Sequence, residues 1–505
     1  MRILLAGIPG HLEPELARQL GARHQLVALD GDIRDRETCA AAADCDVIIH
    51  GLATPGDETA RLDAATRGTW NLLTTTRAQR HILLSSMCIF DRYDPGWHID
   101  EAWSPRPTTA TDDLIPWLAE VGAREISRAR AIECVVLRLD DIVPAEAFAA
   151  GPVQPGWLHV DDAVRAIVAA VTIEQPDAGG ARWVPFHIVR GGPGSRYPAS
   201  ERAARELGFV AEHRTDTGGD HLPEPVFPTA PAPVEGLQRP ERILILGAGG
   251  PIGAAATEVL SPDHRLRLAG RRSMAEVAAA PPQSEGAPLP RPPEPPHEER
   301  SVDITDAAAV LEAATGMDAI INLSVLRHDP VEAFRVNTLG AWNVMRAAVT
   351  LGIRRVVHTG PILTLAPHPA GYVQDRDVGS DVPPRPGDNL YFVSKFFGQE
   401  ICRIFAEQHG IACPTLLYCG FVDPATGAPQ RRAPHPFSIS WEDSGRSLAA
   451  AVTVEQMPQP FEVIHILADS PHDRYRNDAA RRLLGWEPRD RLDHLWRRQR
   501  DEATT

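Results

Sequence analysis

The sequence is almost without lysine. Of its 51 Lys+Arg residues one is lysine, Lys395, and the other fifty are arginine. It also lacks paired cysteines: the seven, at 39, 45, 88, 134, 402, 413 and 419, form no CxxC. That argues against a zinc or disulfide framework and for a reduced, cytoplasmic protein. The 19 histidines show no HExxH, and no metal is expected. No apolar run approaches the roughly 18 residues of a transmembrane helix. The opening MRILLAGIPG passes straight into a glycine turn, without the long apolar region of a signal peptide. Positive charge is short too. A net charge of −16 argues against nucleic-acid or membrane partners and leaves a small-molecule substrate as the expected one.

What is present is a repeat. MRILLAGIPGHLEPELARQL at the start is answered by ERILILGAGGPIGAAATEVL from 241. DVIIHGLA (46–53) is answered by DAIINLSV (318–325), and ARELGF near 204 by RRLLGWEP near 481. A period of this length marks a duplicated domain rather than a solenoid unit. In each copy short apolar strands alternate with amphipathic helices, the pattern of an α/β doubly wound parallel sheet. The expected division is 1–217, a Pro/Gly-rich linker 218–240, and 241–505, with a proline-rich extended loop at 278–300.

In the second copy Gly247, Gly250 and Gly253 lie between a strand and a helix, with Ile252 just before the last. Glycine there permits the tight turn, close approach to a diphosphate, and close helix–strand packing, and the helix N-terminus faces the phosphates. Gly270, Arg271 and Arg272 stand where an acidic residue would hold an adenosine ribose. Two arginines suit a 2′-phosphate, so the expected cofactor is NADP or NAD, with NADP favoured. Asp303, followed by Ile304, is placed to hold the adenine amino group. The first copy has Glu13 in place of the third glycine and Asp30 after its second strand. Its nucleotide pocket is expected to be weakened or lost.

Tyr391 and Lys395 are four residues apart in a helical pattern, hence on one face. An ammonium beside a phenol favours the phenolate and readies it for proton exchange near neutral pH. A lone lysine among arginines marks a place where a planar guanidinium fails.

These motifs resemble the extended short-chain dehydrogenases, the NAD(P)-dependent epimerase/dehydratase group. The resemblance rests on GAGGPIG, VDITD, DAIINLS, VNTLGAWNVMRAA, VVHTG and YFVSK in the second copy, and on DIRD, LLSSMCIF and GWLHVDDAVRAIVAAV in the first. It implies two tandem Rossmann-like domains, each with a small C-terminal substrate-binding portion. It also implies Tyr391 as general acid/base and Lys395 on the nicotinamide ribose. Leu323 and Ser324 match the loop passing the cofactor, and Asn337 matches a helix asparagine behind the site. The family's serine after the fifth strand is missing: Thr359 falls one residue early, and Gly360 and Pro361 occupy its place. Thr359 is the candidate to replace it from a shifted register.

The first copy keeps Ser85 and Ser86 but has Pro116 and Glu120 for the tyrosine and lysine, and Ala65 for Asn337. It reads as a pseudo-enzyme half. Pairing of family helices implies an intramolecular pseudo-dimer of the copies, with a further homo-oligomer open. Arg431 and Arg432 fall where the family builds a substrate lid and suit a phosphate or carboxylate. Two function classes follow: an NAD(P)-dependent oxidoreductase or epimerase working in the second copy, or a non-catalytic NAD(P)-binding regulatory or scaffold protein.

Overall fold

The computed structural model describes residues 1–174, 182–214, 224–283, 286–362, 376–425 and 435–496. The chain divides into two compact units, Met1–Ala230 and Pro231–Thr505.

The first unit contains β1 (Arg2–Ala6), α1 (Glu13–Leu20), β2 (Gln25–Ala28), β3 (Val47–His50), β4 (Arg80–Ser86) and α2 (Thr111–Arg130). It continues with β5 (Glu133–Leu139), β6 (Asp141–Val143), β7 (Trp157–His159), α3 (Val160–Thr172) and β8 (Trp183–Ile188). Its main sheet has the order β2-β1-β3-β4-β5-β8, and β6 pairs with β7 apart from it. All these pairings are parallel. A parallel sheet is covered on both faces, so its central strands are apolar throughout; all four residues of β3 are buried. Ile3, Ile49, Ile82 and Val135 share one core with Leu16 of α1 and Ile167 of α3.

The second unit contains β9 (Arg242–Leu246), α4 (Pro251–Leu260), β10 (Arg265–Gly270), β11 (Glu298–Ser301), β12 (Ala319–Asn322), α5 (Gly340–Leu351) and β13 (Val356–Pro361). After these come α6 (Leu390–His409), β14 (Cys413–Tyr418), β15 (Gly420–Val422), β16 (Ser438–Ser440), α7 (Trp441–Thr453) and β17 (Phe461–His465). The sheet order is β11-β10-β9-β12-β13-β14-β17, again parallel, with β15 and β16 paired apart. It is the first unit's order with one strand, β11, added at the edge. Ile243, Ile321 and Val357 pack with Leu260 of α4 and Leu448 of α7.

Shared devices extend to single side chains. Buried Asp162, near the start of α3, accepts the backbone N–H groups of Glu212 and His213, each at 3.0 Å. Buried Asp443, near the start of α7, accepts those of Arg489 and Asp490, each at 2.9 Å. In both units a single carboxylate thus ties the C-terminal segment to the helix that follows the small strand pair.

The expected linker is docked where it is described. Trp97 Nε1 donates to Val226 O at 2.8 Å in the first unit, while Val234 and Met457 exchange backbone hydrogen bonds of 2.9 and 2.8 Å in the second. Buried Val234 and Leu237, hidden among prolines and glycines, account for the second attachment. The loop expected at 278–300 runs between β10 and β11, and its last three residues begin β11. No helix among the described residues is long and apolar enough to cross a membrane. All seven cysteines are free thiols.

Candidate active site

The turn between β9 and α4 is built as its glycines require. Gly247 has φ +80°, and a Cβ there would lie 2.9 Å from Leu323 C and Ser324 N. A Cβ on Gly253 would lie 2.4 Å from Ala248 O, so only glycine lets the first turn of α4 press on the strand exit. Gly250 is the N-cap, with no side-chain cap on the helix's first N–H groups. Those donors are free for an anion. The first unit shows what the third glycine does. With Glu13 in that place, α1 begins at Glu13 itself, whereas α4 begins at Pro251, two residues before Gly253. The lost turn is the one that would carry the phosphate-facing N–H groups.

Beside this turn lies a cavity of about 610 Å³. Gly247, Gly250, Ile252, Gly253, Arg271, Arg272, Asp303, Ile304, Leu323 and Ser324 all line it. The structure therefore brings together ten of the twelve residues expected to hold the cofactor. Arg271 lies 3.7 Å from Glu332. Asp303 accepts the Thr305 N–H at 2.9 Å.

The other two, Asn337 and Lys395, stand behind the loop that follows β12. Asn337 donates to Leu326 O at 2.7 Å and to Ser394 Oγ at 2.9 Å, and its Oδ1 accepts Leu326 N–H at 3.1 Å. It clamps the cofactor-facing loop to α6. Lys395 Nζ donates to Ser324 O at 3.2 Å, its one hydrogen-bond partner among the described residues. The side chain is buried, and burial pushes its pKa down to about 8. A buried ammonium with donors to spare, directly behind the loop that lines the cavity, fits a ligand's ribose hydroxyls.

Tyr391 and Lys395 lie one turn apart in α6. Asn389 caps the helix by accepting the N–H groups of Tyr391 (3.0 Å) and Phe392 (3.3 Å), which fixes the tyrosine in the first turn. Burial raises the Tyr391 phenol, and the guanidinium of Arg327 opposes it. Lys395 is not among the groups that move it, contrary to the sequence-based expectation; its ammonium is turned to Ser324 instead.

Thr359 is the site residue that the structure sets apart. Asn322 pairs with His358, and in the first unit His50 pairs with Leu83. Matching the two registers sets Leu84 against Thr359, Ser85 against Gly360 and Ser86 against Pro361. Strand alternation then turns Thr359 toward the α4/α7 face with Val357, away from α6. Its hydroxyl donates to Asn322 O at 3.0 Å. The shifted register that would have brought it to Tyr391 does not occur. His358 is 1% exposed with neither ring nitrogen hydrogen-bonded; burial holds it neutral, a packed strand histidine. Arg431 and Arg432 lie outside the described residues.

The expected exchange of Tyr391 and Lys395 for Pro116 and Glu120 is corrected by the helices: α2 and α6 each run twenty residues into a left-handed cap, Ala131 and Gly410, which sets Asp112 at the place of Tyr391, Pro116 at that of Lys395 and Glu120 at that of Gln399. Glu120 is bound bidentately by buried Arg138 (2.8 and 3.0 Å) and accepts Ser85 Oγ at 2.6 Å. Pro116 has no N–H to give Asp112 O, which accepts the Cys88 thiol at 3.7 Å.

Among the cavity residues that sequence reasoning missed are Arg327, Phe421 and Trp441. The Phe421 and Trp441 rings stack at 4.5 Å. Trp441 lies nine residues beyond Arg432, and nothing in the sequence joined it to Phe421.

Residues 243–435 match the model of the NAD dependent epimerase/dehydratase family. The L-arabinose 1-dehydrogenase (NAD(P)(+)) of Haloferax volcanii is 26% identical over 269 residues, 49% of this chain and 96% of that protein. A uronate dehydrogenase of Pseudomonas syringae pv. tomato is 27% identical over 254 residues, 49% of this chain and 82% of its own length. Among solved structures, the uronate dehydrogenase from Agrobacterium tumefaciens is 25% identical, with a TM-score of 0.41, covering 52% of this chain and 92% of that one. The family match falls within the second unit, and the Haloferax relative is by its name an NAD(P)(+) enzyme.

Proposed function

We propose that the second unit is an NAD(P)-dependent oxidoreductase acting at a carbinol or carbonyl carbon of a sugar or sugar acid. The observation that carries this reading is the buried, sparsely partnered ammonium of Lys395, one turn from Tyr391 and bonded to Ser324 of the glycine-turn cavity. The free N–H groups at the start of α4 would hold the cofactor's diphosphate, Arg271 or Arg272 its adenosine end, and Lys395 its nicotinamide ribose. When bound, the nicotinamide supplies the site that takes or gives a hydride. Tyr391 receives the carbinol proton at Oη in oxidation and returns it in reduction. Asn337 keeps the Leu323–Leu326 loop against α6, so that ribose and phenol share one frame.

The dehydrogenase names of the relatives favour net oxidation or reduction over epimerisation. The test is turnover of L-arabinose, D-glucuronate and glucose 6-phosphate with NAD and NADP, followed by reduced-nicotinamide absorbance, in wild type and Tyr391→Phe. Turnover that survives in Tyr391→Phe contradicts the reading. The loss of the serine to Gly360 and Pro361 supports the second reading, a non-catalytic NAD(P)-binding protein; nucleotide-induced thermal stabilisation with no turnover of any of these sugars would favour it.

The shared strand order and shared buried aspartates support a tandem duplication whose first copy is a pseudo-enzyme. The pseudo-dimer of the two copies is part of this proposal. A fully active, soluble monomer of residues 241–505 would refute it.

A further inference from the structure

The register leaves a gap in the chemistry beside Tyr391. Gly360 and Pro361 stand where Ser85 and Ser86 stand in the first unit, and the hydroxyl next to them on the strand, Thr359, is given to Asn322 O. One cationic group faces the tyrosine from the opposite wall. Arg327 follows Leu323 and Ser324 in the cavity-lining loop, and its guanidinium carbon lies 5.2 Å from the centroid of the Tyr391 ring. No ion pair to a carboxylate holds Arg327 among the described residues, in a chain where many arginines are paired. Besides Arg327, the group that acts on the Tyr391 phenol is Cys419, just beyond β14, and Lys395 lies one turn along α6. Lys395 is directed to the Ser324 carbonyl.

We infer that Arg327, and not Lys395, is the cation that holds the Tyr391 phenolate: a positioning residue supplied by the cofactor loop where the fifth strand has lost its hydroxyl. A guanidinium over a phenol ring attracts it through the ring face, and attracts it more once the oxygen carries charge. This rests on Tyr391 being the acid/base group of the proposed reaction.

The test needs no turnover. The phenolate absorbance of Tyr391 in the full-length apo protein is titrated as wild type minus Tyr391→Phe, then likewise in Arg327→Gln, Arg327→Lys and Lys395→Met backgrounds. Removing an opposite charge at this range raises the midpoint by about one pH unit or more. The expected result is a larger rise in Arg327→Gln than in Lys395→Met, with Arg327→Lys returning toward wild type. A rise in Arg327→Gln no larger than that in Lys395→Met overturns the inference. Because Arg327 is exposed, its substitution leaves the core intact. The two readings separate cleanly. If the midpoint follows Arg327 but no sugar turns over, the dehydrogenase reading fails alone. If sugars turn over and the midpoint ignores Arg327, this inference fails alone.

Discussion

Glu120 in α2 and Lys395 in α6 are buried one turn apart in the common frame of these two helices, with opposite charge and opposite company. Glu120 is saturated: Arg138 binds it twice and Ser85 donates to it. Lys395 has one backbone carbonyl. The strand position that holds Arg138 in β5 holds Leu417 in β14, as the pairings of Ser85 with Arg138 and of Gly360 with Leu417 show. One unit has spent its buried polar groups on each other, and the other has kept a charge in reserve. A buried charge without a protein partner costs stability and is retained where a ligand completes it.

Four changes test this contrast, from the largest expected effect to the smallest. Tyr391→Phe should lower kcat by about 10²–10⁴-fold with dinucleotide affinity kept, while Ser85→Ala leaves turnover unchanged. Equal losses from both would place chemistry in both units. Glu120→Gln should destabilise the first unit by about 3–5 kcal/mol in denaturant melts, because Arg138 is left buried and unpaired. Replacing both partners by apolar residues of similar volume should cost far less.

Lys395→Met should stabilise the apo protein at neutral pH by about 2–3 kcal/mol while removing dinucleotide binding. The sign follows from the depressed lysine. Its folded-state pKa is about 8 against an ordinary 10.5, so between those values the unfolded chain binds more protons. Wild-type apo stability should therefore rise with pH across that window, and the Met variant should lose the slope. Gly253→Ala should weaken dinucleotide binding tenfold or more, a loss of about 1.4 kcal/mol, since its Cβ would lie 2.4 Å from Ala248 O. Calorimetric titration with NADH and NADPH checks both.

Much of this was open to sequence reading. The glycine spacing, the solitary lysine and the i,i+4 tyrosine each carry a local physical demand. The register of α2 against α6 was not legible: the left-handed caps Ala131 and Gly410 set Pro116, and not Glu120, at the place of Lys395. What escaped depends on pairings across the fold. Arg138 is one arginine among fifty, and its role appears only when β5 lies beside β4. Arg327 is equally anonymous until its loop lies over α6. Thr359 could be read in either of two registers, and only the pairing of β13 with β12 decides which face it takes. Val234 and Leu237 looked like linker because their neighbours are prolines and glycines.

The central claim is that one unit holds a dinucleotide and the other has closed its site from within. Its most direct test is the stoichiometry of reduced dinucleotide bound by the full-length chain in isothermal titration calorimetry, repeated in Lys395→Met. The account predicts one site per chain, lost in the variant. Two sites, or one that persists without Lys395, would contradict it.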